Sequence, residues 1–87
     1  MSEYVEARYA KLILREARLV DEAQASRLVN DLLRDLKPVR PFNDARAQAL
    51  TSLRVLALSL EHPQSRVLHE WEAADQATEA WCRNAYH

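Results

Sequence analysis

Glycine is absent from all 87 residues, where ordinary usage near 7 % would supply about six. Without it there is no P-loop, no GxGxxG dinucleotide turn and no GxSxG nucleophile elbow. Each of those needs backbone at positive φ or pressed close against a ligand. One cysteine excludes an internal disulfide and points to a reducing compartment. No long apolar run occurs either: the longest, "VLALSL" at 55–60, is far too short to cross a bilayer. The opening "MSEYVEARYA" carries two glutamates and no apolar centre, so it does not read as a secretory leader. The expectation is a soluble, cytoplasmic protein with no membrane partner. An excess of charge is missing too, with 12 basic against 13 acidic residues. No global field therefore draws the chain to nucleic acid or a lipid surface.

What remains is helical pattern. Apolar residues recur at helical spacing in four segments, and no segment alternates as a strand does. The reading is an all-α fold: a small four-helix bundle with short connections, one domain over 1–87, with helices near 3–18, 22–36, 44–61 and 64–85. Ser2, Asp21 and Asn43 are placed to cap the first three helices. "LKPVRPFND" at 36–44 breaks the pattern because a proline disfavours helix in the residue before it. Its Pro38-Val39-Arg40-Pro41 has the form of a polyproline ligand, yet an inter-helix link of this length is ordinary. It reads as a connector.

The faces differ in clarity. The second helix sets Ala25, Leu28, Val29, Leu32, Leu33 and Leu36 on one arc and charges on the other. On the third, Ala49, Leu50, Leu53, Leu56, Ala57 and Leu60 form the inward stripe. Val55 and Leu58 point away from that stripe, which predicts a helix covered on two sides and a partner chain, most simply a second copy. The fourth runs Val67, Trp71, Ala74, Thr78, Trp81 and Ala85 along one seam, with Trp71 and Trp81 as anchors of the core or of an interface. On the first, the arc of large residues (Val5, Tyr9, Leu12, Ile13, Leu19, Val20) is expected to face inward. Glu16 falls near the centre of that arc, so it is expected at the rim, in a buried pair with an arginine such as Arg46, or protonated, a catalytic acid or metal ligand being the sharper alternative.

Arg8, Lys11, Arg15 and Arg18 fall within about 80° of one another on the first helix. Such a stripe suits phosphate contact, or it is a solvated face answering Glu72, Asp75 and Glu79 on the fourth helix. Catalytic and metal chemistry find little support. His62, His69 and His87 all come late, and Cys82 and His87 diverge on a helix. No HxxxH, ExxH or paired-cysteine spacing occurs. No cofactor, metal site or catalytic residue is expected. Arginine exceeds lysine ten to two, an association with bacterial or phage genomes rich in GC. The functional expectation is a non-catalytic protein-interaction or regulatory module of the adaptor, inhibitor, chaperone or assembly-factor type, acting as a homodimer. Its interface residues are Val55, Leu58, Trp71 and Trp81. The alternative is nucleic-acid binding through the four cations of the first helix.

Overall fold

Ser2, Asp21 and Asn43 each stand in extended conformation just ahead of a helix. Their side-chain oxygens accept from the backbone N–H of Val5, Gln24 and Arg46 respectively. Each bond satisfies one of the N–H groups that a helix start leaves open. Behind these caps lie α1 (Glu3–Ala17), α2 (Glu22–Asp35) and α3 (Asp44–Glu61), followed by α4 (Val67–Ala85). This computed structural model describes residues 2–36, 43–62 and 67–86, and no strand occurs among them. The PxxP segment and the expected start of the fourth helix at 64 lie outside the described residues.

The helices close into a ring. α1 packs beside α2 and α4, and α3 also packs beside α2 and α4, which leaves α1 and α3 on a diagonal. The result is a rod of 38 × 19 × 19 Å, two helix diameters across. Trp81, Leu14, Leu32, Leu53, Leu56 and Val29 are its largest fully buried apolar side chains. α3 carries the most buried positions of any helix, as its apolar content predicts. The inward arcs expected for α2, α3 and α4 are the ones that pack.

α1 is turned the other way. Its buried positions are Ala7, Ala10, Leu14 and Ala17. Val5, Tyr9, Leu12, Leu19 and Val20, expected inside, are all exposed, and only Ile13 of that arc packs against the core. Glu16 is exposed with them, so it makes no buried pair. Arg46 instead grips Glu6, Nε to Oε1 at 3.2 Å and Nη2 to Oε2 at 3.4 Å. Three alanines on the inner face let α1 lie close against its neighbours, and an arc free of charge is the cheaper one to bury.

Candidate interaction surfaces

The outward side of α1 is a line of large apolar residues. Val5, Tyr9, Leu12 and Glu16 follow one another at spacings of four, three and four, and Leu19 in the following turn continues the alternation. Leu12 is 51 % exposed and Leu19 81 %. A helix whose large side chains face water while its alanines face the core turns to solvent a line with the spacing of a coiled-coil stripe. On the opposite corner of the ring, Val55 and Leu58 of α3 are 41 % and 58 % exposed. They point away from the core as the sequence predicts, so the two apolar faces look in opposite directions.

The basic stripe of α1 lies along its border with α4. There Lys11 Nζ meets Glu79 Oε2 at 2.5 Å, and Arg18 Nη1 meets Asp75 Oδ2 at 2.9 Å. The hydrogen bond from Lys11 holds the Glu79 carboxyl below the usual carboxylate range. Arg8 donates to the Tyr4 hydroxyl at 3.1 Å and lies over the Tyr4 ring. Hydrogen bonding to that hydroxyl raises the already high ionisation of the guanidinium. Arg15, like Glu16, has no ion-pair partner among the described residues. Two open grooves follow this border. One of about 350 Å³ is lined by Lys11, Arg15, Arg18 and Asp75 among others. The other, about 360 Å³, runs past Tyr4, Arg8, Cys82, Arg83 and Tyr86. Cations and carboxylates mix in both, so neither is a concentrated anion site.

The tryptophans part company. Trp81 is fully buried, so it belongs to the chain's own core and is not presented to a partner. Its indole N–H donates to Glu3 Oε1 at 3.0 Å, and the Arg46 guanidinium lies 5.7 Å from its ring centroid. Asn43 Nδ2 donates to the same Glu3 oxygen. Together with Glu6, these groups form a polar knot that ties the starts of α1 and α3 to the end of α4, a cluster that no periodicity announces. Trp71 is partly buried, with the Arg18 guanidinium 5.4 Å from its ring centroid.

No group of three or more metal-ligating side chains forms among the described residues. His69 is exposed, and His87 lies outside them. No described helix is long and apolar enough to cross a membrane. Burial pushes the Cys82 thiol up, away from the thiolate that chemistry would need. No known family, characterised protein or solved structure matches the chain.

Proposed function

We propose that this chain is a non-catalytic protein-interaction module that acts through the apolar sides it turns to solvent on α1 and α3, and that it does so as a homodimer. The observation that carries the reading is the inversion of α1, with Val5, Tyr9 and Leu12 outside and Ala7, Ala10 and Ala17 inside. Contiguous apolar surface of this kind marks docking sites on soluble proteins. An adaptor, inhibitor, chaperone or assembly factor needs no more than such faces on a stable support. Sedimentation of the wild-type chain over a concentration series tests it, the expected result being a mass that climbs toward two chains. A chain that stays monomeric up to about 1 mM, the edge of useful affinity, would sink the homodimer.

Nucleic-acid binding is the weaker reading, because Lys11 and Arg18 are already engaged with Glu79 and Asp75. Two cations outside any ion pair, Arg8 and Arg15, would give a log–log salt slope on duplex DNA of roughly −2, against the −3 to −4 of four phosphate contacts. Binding that survives moderate salt with the steeper slope would restore it.

A further inference from the structure

We infer that the chain pairs with a second copy of itself along α1, the two helices antiparallel and centred on Leu12, an inference that rests on the interaction reading above. The seam of Val5, Tyr9, Leu12 and Glu16 has the alternation by which two helices interlock, and Leu19 extends it. What singles out a second copy is charge. Glu16 is the one ionised member of the seam, and it has no ion-pair partner among the described residues, while Arg8 and Arg15 border it.

In a parallel pair Glu16 would stand level with the partner's Glu16, like charges opposed in mid-contact. In an antiparallel pair centred on Leu12, Val5 stands level with the partner's Leu19 and Arg8 with the partner's Glu16. The two-fold axis makes each of these contacts twice. The carboxylate that the lone chain leaves exposed thereby lies between two guanidiniums. Val55 and Leu58 on α3, where the sequence pattern first suggests the homodimer, offer a shorter face of two residues.

Size sets the strength. The outward half of a helix of 15 residues is a half-cylinder of roughly 350 Å². Two such faces bury about half of what a standard stable complex buries. The dimer therefore forms and dissociates with concentration and is not obligate.

Sedimentation equilibrium at low salt on the full chain and its variants, with circular dichroism on each, tests this. Leu12→Glu sits at an exposed position, so helicity should hold while association weakens at least about tenfold, because the pair would bury two opposed carboxylates. Glu16→Arg should also weaken association. Adding Arg8→Glu to it should bring the dissociation constant back to within about threefold of wild type, since reversed charges meet again across the axis. Val55→Glu/Leu58→Glu should leave the dimer intact. A wild-type dimer that survives Leu12→Glu, or one broken by the α3 double substitution, overturns the α1 pairing and leaves the module reading standing. Wild-type protein that never associates overturns both. Failure of Arg8→Glu to repair Glu16→Arg overturns the antiparallel register. Loss of helicity in Leu12→Glu would place Leu12 in the chain's own core and overturn the exposed seam.

Discussion

Arg46 and Cys82 are buried polar side chains with different tasks. Arg46 is only 4 % exposed, and Glu6 answers it with both carboxylate oxygens. Glu6→Ala would strip a nearly buried cation of that carboxylate, and thermal or denaturant unfolding should register a loss of about 2–4 kcal/mol. Glu6→Leu/Arg46→Met, which removes both charges, should lose less than Glu6→Ala alone. A double variant that is worse than the single would mean that the pair itself stabilises the fold. At Cys82 burial favours the protonated thiol, with Lys11 opposing in part. The folded chain therefore holds this proton to higher pH than the unfolded chain does. That contribution is intact below the ordinary thiol range and is lost as pH rises through the folded value. A thiol reagent at about pH 8 should label Cys82 well below the rate of a free thiol. Stoichiometric labelling at the rate of a free thiol would contradict its burial.

Among the elements, α3 and α1 make opposite kinds of contact. Leu53 is fully buried on α3, and Leu53→Ala should cost about 2–5 kcal/mol in equilibrium unfolding. α1 fills its inner side with alanine, so its sensitivity runs the other way. Ala10→Leu should destabilise by about 1–3 kcal/mol through overpacking, while Leu12→Ala at dilute concentration should change stability by no more than about 0.5 kcal/mol. The reverse pair of results would mean that α1 is rotated by half a turn. This is also where the sequence was hardest to read. α2, α3 and α4 each set one arc of large apolar residues toward the core, and size and polarity agree there. On α1 both arcs are apolar, and choosing the larger one selects the outer side. The signal that identifies the inner side was present: Ala7, Ala10, Leu14 and Ala17 keep heptad spacing with no charge among them, whereas the larger arc includes Glu16. The caps Ser2, Asp21 and Asn43 were legible because capping is local chemistry. The knot of Glu3, Glu6, Arg46 and Trp81 was not, because its members lie up to 78 positions apart.

For the whole molecule, helices make up 88 % of the described residues. Circular dichroism should accordingly show strong paired minima near 208 and 222 nm, roughly what helix in well over half the chain produces. A spectrum dominated by strand or coil would contradict the bundle. Ring closure depends on α4, which packs against both α1 and α3. Its Trp81 is the largest fully buried side chain, and Trp81→Ala should cost about 3–5 kcal/mol. If that substitution leaves the unfolding midpoint unchanged, the packing of α4 is not as described.

The diagonal placement of α1 and α3 has a consequence for valence. A dimer joined at α1 carries two copies of the Val55 and Leu58 face, one on each far side, so the assembly is two-headed. Such an object can bridge two copies of one target, and the second contact then forms at the raised effective concentration set by the first. Were both faces self-pairing, growth would have no stopping point, since each added copy would expose a fresh end. On the proposed α1 pairing, finite dimers would cross-link a target only when intact and would release it when Leu12 is charged.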